Sequence, residues 1–101
     1  MSIGYEYLII YDNMAEGHGM VWFDYLWLEG EDGNIEHVTE NGLGIEDVEY
    51  VIENFAKEET SRSSGRPMRF GYTADGRFIA VVFDWLDDVT IYPITAYEVE
   101  D

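Results

Sequence analysis

The chain has 101 residues, 22 of them Asp or Glu and only 5 Lys or Arg, for a formal charge of −17; it is 47% apolar, and 16% of it is aromatic. That length allows one small domain, the aromatic content excludes an acidic disordered tail, and the charge excludes broad, non-specific binding to nucleic acid or anionic membrane. Without cysteine there is no disulfide framework, thiolate metal site or cysteine nucleophile.

Ile3, Tyr5, Tyr7, Ile9 and Tyr11 alternate, which predicts a first strand over Ile3–Tyr11. Asp12–Gly19 reads as a loop with two glycines, and Met20–Leu28 as a buried second strand, so the two strands are expected to pair as a hairpin. Residues 1–22 form a strand extension ahead of the rest. After the polar break Glu29–Gly33, a short helix is expected over Asn34–Asn41, stopped by Asn41-Gly42. A second helix follows over Ile45–Phe55. Its Ile45, Val48, Val51, Ile52 and Phe55 keep helical spacing, and Glu46 and Asp47 suit its N-terminal dipole.

Lys57–Pro67 reads as a Ser/Gly/Pro-rich loop. Met68, Phe70 and Tyr72 then alternate with Arg69, Gly71 and Thr73 as on a half-buried strand. Asp75-Gly76 is a hairpin signal, Phe78–Phe83 has the apolar run of a central strand, and Asp87-Asp88 marks the next turn. Val89–Val99 is the last strand, where Pro93 demands an edge position or a bulge. The order β-β-α-α-β-β-β predicts a single α+β domain over 1–101. Its antiparallel sheet would have about four or five strands, with both helices on one face. No basic leader and no apolar run near ~18 residues is present, so a cytoplasmic protein without a membrane span is expected.

All five basic residues, Lys57, Arg62, Arg66, Arg69 and Arg77, lie between positions 57 and 77. With three acids, that window carries +2 inside a body of −19. Salt screens over ~8 Å, so a local cationic patch survives the overall charge. Two readings stand: a small anion site, for which the arginine fork suits phosphate, or cations paired with the protein's own acids, with Arg77 the most structural. His18 reads as a loop residue and His37 as a helix residue at a packing contact; either has the chemistry of a general base. Neither has metal-ligand spacing. The acidic stretches Glu29–Glu36 and Asp84–Asp88 do not match a calcium loop, and no phosphate loop, dinucleotide fingerprint or nucleophile elbow is present. No metal or cofactor is expected.

The segment NIEHVTENGLGIEDVEYVIEN (34–54) resembles the helix-helix signature of BrnT-like proteins, a family within the RelE-like toxins. SRSSGRPMRFGYTADGRFIAVVF (61–83) is similar to that family's Arg-bearing strand, Gly-Arg turn and central strand, and IYPITAYEV (91–99) to its last strand. The resemblance spans Phe23–Val99. It implies a RelE-like α+β fold and a metal-independent endoribonuclease toxin paired with a basic, DNA-binding antitoxin. Such nucleases activate a ribose 2′-hydroxyl and need an acid/base group with cations for the phosphorane charge. On that implication His37, Arg66, Arg69 and Tyr97 are the catalytic candidates, and Lys57, Arg62 and Arg77 bind RNA at the local basic patch. The sequence also departs from the family. Glu40-Asn41-Gly42 stands where Lys-His-Gly is usual, and Tyr97 replaces the Arg of the final Ser-Ala-Arg. The basic C-terminal helix of many relatives is expected to be missing. The alternative is a non-catalytic protein-binding module of the same fold, with sheet-edge pairing or a homodimer through the N-terminal strands. A third source of the acidity is adaptation to high salt.

Overall fold

Alternating and helical apolar periods resolve into six strands and two helices in the computed structural model, which describes the backbone of residues 9–13 and all of residues 23–100. They are β1 (Ile9–Asn13), β2 (Asp24–Leu28), α1 (Asn34–Glu40), α2 (Ile45–Glu53), β3 (Lys57–Thr60), β4 (Pro67–Tyr72), β5 (Phe78–Trp85) and β6 (Thr90–Glu98). Of the expected N-terminal elements, residues 3–8, residues 20–22 and the loop carrying His18 lie outside the described residues. The β1–β2 hairpin pairing is present, from Ile9 opposite Leu28 to Asn13 opposite Asp24.

The α+β class and the placement of both helices on one face are found; the sheet differs in two respects. It has six strands, in the order β1-β2-β6-β5-β4-β3, because Lys57–Thr60 forms an edge strand where a loop was expected. The sequence KEET has no apolar alternation to announce it, and all four residues are exposed. Its pairing comes from across the ladder, where Lys57 faces Phe70 and Glu58 faces Arg69. Charges on an edge strand also discourage pairing with another chain.

The sheet is also mixed: β2 and β6 are parallel, and every other neighbouring pair is antiparallel. Both helices carry the chain from β2 to the far edge. Three successive antiparallel steps from β3 to β6 then reverse it three times, which brings β6 back parallel to β2. Pro93 sits on an inner strand, so the bulge explains it. The register slips between Val82 and Phe83, with Val82 opposite Thr95 and Phe83 opposite Pro93.

One core lies between the sheet and the helices. Tyr25, Trp27, Ile79, Val81, Phe83, Ile91 and Ala96 from the strands meet Val38, Val48, Val51 and Ile52 from the helices, with Leu43 between them. Gly71 lets α2 lie close on β4, since a Cβ there would stand 3.2 Å from the Phe55 Cα and 3.3 Å from Val51 Cγ1. Tyr25, Trp27 and Glu49 bring polar atoms into this layer. The Trp27 indole donates to Glu49 Oε2 at 2.9 Å, and the Tyr25 hydroxyl to Glu53 Oε2 at 2.7 Å. Burial, then the bond to Glu53, pushes the Tyr25 phenol far above its ordinary range. No described helix is long and apolar enough to cross a membrane.

Candidate functional site

The basic window folds into the β3–β4 hairpin and the start of β5, and its side chains part company there. Strand alternation sends residues to opposite faces. Arg69 points to the helix side: its Nη1 donates to the Ile52 carbonyl at 2.7 Å and its Nε lies 3.3 Å from Glu58 Oε2. The guanidinium is packed under rings, with its carbon 4.1 Å from the Phe55 centroid and 5.3 Å from that of Phe83, and the side chain is only 12% exposed. Arg66 instead reaches Asp84, with Nε at 2.9 Å from Oδ2; Asp84 alternates away from buried Phe83, to the far side of the sheet.

Arg77 leaves the turn before β5 and crosses to the helices. Its Nη1 donates to the Gly42 carbonyl at 2.9 Å, its Nη2 pairs with Asp47 Oδ2 at 3.1 Å, and its Nε pairs with Asp75 at 3.2 Å. The Asp75 carboxylate, first of its neighbours, raises the Arg77 pKa further. The Thr73 hydroxyl and then Arg77 hold the Asp75 carboxyl below the usual range. Gly76 takes the positive φ of +93° that this Asp-Gly turn needs. Lys57 pairs with Glu59 at 3.2 Å and lies over the Phe70 ring.

Four of the five cations are thus engaged by the protein's own groups. Arg62, in the 61–66 loop, makes no ion pair or side-chain hydrogen bond among the described residues. His37 is exposed in the last turn of α1, on the helix layer. Tyr97 lies opposite Ala80 on the other face and is partly exposed. The four catalytic candidates are therefore divided: His37 and Arg69 lie on the helix side, Arg66 and Tyr97 on the open side. They do not line one concavity. Among the described residues no three His, Asp or Glu side chains converge as a metal-binding group.

Two apolar surfaces escaped the sequence reading. On the face away from the helices, Met68, Phe70, Tyr72, Phe78, Ala80, Val82 and Tyr97 form a layer over which no described element packs, with Tyr72 against Phe78 at 4.8 Å. At the β5–β6 end, Trp85, Leu86 and Val89 stand exposed, and so does Phe55, which shares the Arg69 guanidinium with Trp85. The signal for the second was present in DWLDD, whose Trp and Leu are an unusual content for a solvated acidic turn.

No protein-family model, curated protein or solved structure matches this chain.

Proposed function

We propose that this chain is a divergent BrnT/RelE-like protein that acts by binding a basic partner protein, and that it does not cut RNA. The observation that carries this reading is the separation of Arg66 and Arg69 onto opposite faces of the sheet, each already held by a carboxylate of the protein. A phosphorane needs cations that converge and are free to turn toward it. Arg66 and Arg69 meet neither condition, and His37 stands on the helix layer away from Tyr97. A body of −19 outside the basic window supplies long-range attraction for a basic protein. An antitoxin-like, DNA-binding partner has that charge.

The ribonuclease reading keeps one specific support, the guanidinium of Arg62 in the Ser-rich hairpin loop, which makes no ion pair or side-chain hydrogen bond among the described residues. One experiment separates the two readings. Purified chain incubated with single-stranded bacterial RNA is expected to leave it intact, and its induction alone is expected to leave bacterial growth unchanged. RNA cleavage that disappears in Arg62→Ala while the fold persists would establish the nuclease instead.

A further inference from the structure

Over β4 to β6 the sheet is apolar on both faces, and the described helices cover only one. Ile79, Val81 and Phe83 of β5 meet the helices in the core, so strand alternation turns Phe78, Ala80 and Val82 to the open face. The register brings residues of β4 and β6 to that same face: Met68 stands opposite Val82, Tyr72 opposite Phe78, and Phe70 and Tyr97 flank Ala80. Ring contacts join the strands. The Phe78 centroid lies 4.8 Å from that of Tyr72 and 6.4 Å from that of Phe70, and Lys57 sits 4.7 Å over Phe70. Ala80 and Val82 are buried, whereas Tyr72 is 46% and Tyr97 37% exposed. A sheet with one solvated face ordinarily alternates apolar with polar residues. Here aromatic rings stand where the polar residues would be.

Charge selects the occupant. On β3 to β6 the charged side chains of this face are Lys57 and Glu59, opposite Phe70 and Met68, and Asp84 with its partner Arg66. The two ion pairs cancel, in a chain of −17. A basic or an acidic partner gains no net attraction here, and nucleic acid or anionic membrane meets no excess of cations. Two copies related by a twofold axis need a face complementary to itself, and rings rimmed by equal and opposite charges meet that need. The acids of the helix layer do not oppose such pairing. Glu36, Glu46 and Glu53 lie on α1 and α2, across the sheet from this face. Sheets packed face to face are themselves ~10 Å apart, beyond the ~8 Å screening length, so the helix acids of the two copies are screened from each other. Size sets the strength. Four strands ~4.8 Å apart and about six residues long offer roughly 400 Å². Two such faces fall short of the ~1,600 Å² of a standard interface, so the association is weak and concentration-dependent.

We propose that the face formed by Met68, Phe70, Tyr72, Phe78 and Tyr97 pairs with the same face of a second copy, in a weak symmetric dimer whose helix layers point outward. This inference goes beyond the partner-binding reading and does not depend on it. Sedimentation equilibrium of the full chain, from micromolar to near-millimolar concentration, tests it. The mean mass is expected to rise with concentration from one chain toward two. The dimer is expected to tighten at least about threefold between ~0.1 M and ~1 M salt, because its contact is apolar and its copies repel. Tyr72→Glu/Tyr97→Glu, both exposed positions, is expected to weaken it at least about tenfold. His37→Glu/Tyr50→Glu, which adds the same charge on the helix layer, is expected to stay within about twofold. In the unsubstituted chain, amide shifts that move with concentration are expected at residues 57–59, 68–72, 78–84 and 95–97, which checks the face without any variant. A monomer throughout that range would overturn the dimer. So would equal weakening by the two double variants, dissociation by added salt, or shifts centred on residues 9–13 or 85–89, which put the contact at the β1 edge or the β5–β6 turn. None of these results bears on the binding of a basic protein, so the two readings fail separately.

Discussion

The side-chain amide of Asn34 donates from Nδ2 to the carbonyl of Pro93 at 2.7 Å, across the place where β2 and β6 separate. The parallel ladder between those strands covers only Asp24–Thr90 and Tyr25–Ile91. Beyond it, Asn34 also donates to the Leu26 carbonyl at 2.9 Å and accepts the Leu28 amide at 2.7 Å. One buried side chain thus satisfies three backbone groups that the sheet leaves unpaired, and it fixes the first turn of α1 to both strands. Asn34→Leu has nearly the same volume but no polar atoms. It is expected to lower stability by about 3 kcal/mol or more, because buried backbone groups lose their partners. Urea unfolding followed by far-UV circular dichroism measures this. A loss below about 1 kcal/mol would mean that the strands pair without the amide.

This residue also marks what the sequence made legible. Helix α1 was readable from Asn41-Gly42 and α2 from the spacing of Val48, Val51 and Ile52, because both signals are local. The Asp-Gly turn and the central strand β5 were readable for the same reason. The role of Asn34 was not, since its partners lie 8 and 59 residues away. Edge strand β3 was hidden because its pairing partners lie on β4 and its own residues are all exposed. For the candidate site, the clustering of five cations in sequence was plain. Their dispersal was not, because Arg66 and Arg69 are separated by an odd number of positions in an extended segment and so face opposite ways.

Arg77 and Asp47 tie the β4–β5 turn to the start of α2. Asp47 Oδ2 also accepts the Gly44 amide at 2.9 Å, so the carboxylate caps its helix and holds the guanidinium together. Lysine keeps the charge but cannot present three donors to Asp75, Asp47 and the Gly42 carbonyl. Arg77→Lys is expected to lower the urea midpoint only slightly, as befits partly exposed pairs. Asp47→Ala, which also loses the cap, is expected to cost about 1–2 kcal/mol. The double variant should fall short of the sum of the two, which a double-mutant cycle in urea detects; strict additivity would show that the pair is uncoupled.

Arg69 is the cation whose removal is most easily misread. Its side chain is 12% exposed, bonds the Ile52 carbonyl and lies under Phe55. Arg69→Ala is expected to destabilise the fold by about 2–3 kcal/mol through lost packing and an orphaned carbonyl. Arg62→Ala, by contrast, is expected to change stability by less than about 0.5 kcal/mol, since nothing in the described fold depends on it. Any activity lost only in Arg69→Ala therefore reports unfolding, whereas loss in Arg62→Ala reports chemistry. Thermal melts of both variants, run beside the RNA assay, decide between them.

The titration of three groups bounds the stable pH range, with opposite signs at its two ends. The Asp75 and Asp87 carboxyls are held low in the fold, Asp75 chiefly by the Thr73 hydroxyl and Asp87 chiefly by the Val89 amide. In the unfolded chain they protonate at ordinary values near ~4. Their contribution is therefore present above about pH 4 and is lost as pH falls through their folded values. Tyr25 works the other way. Burial raises its phenol far above the ordinary ~10, so its contribution is present below about pH 10 and is lost as pH rises beyond it. Between these limits the −17 charge repels itself, so added salt should raise the melting temperature at pH 7 and do less at pH 5, where part of the acid is neutralised. Melting curves from pH 3 to 11 at two salt concentrations are expected to show both declines. Asp87→Asn should flatten part of the acid decline and Tyr25→Phe part of the alkaline one. An alkaline decline that is unchanged in Tyr25→Phe would remove Tyr25 as its cause.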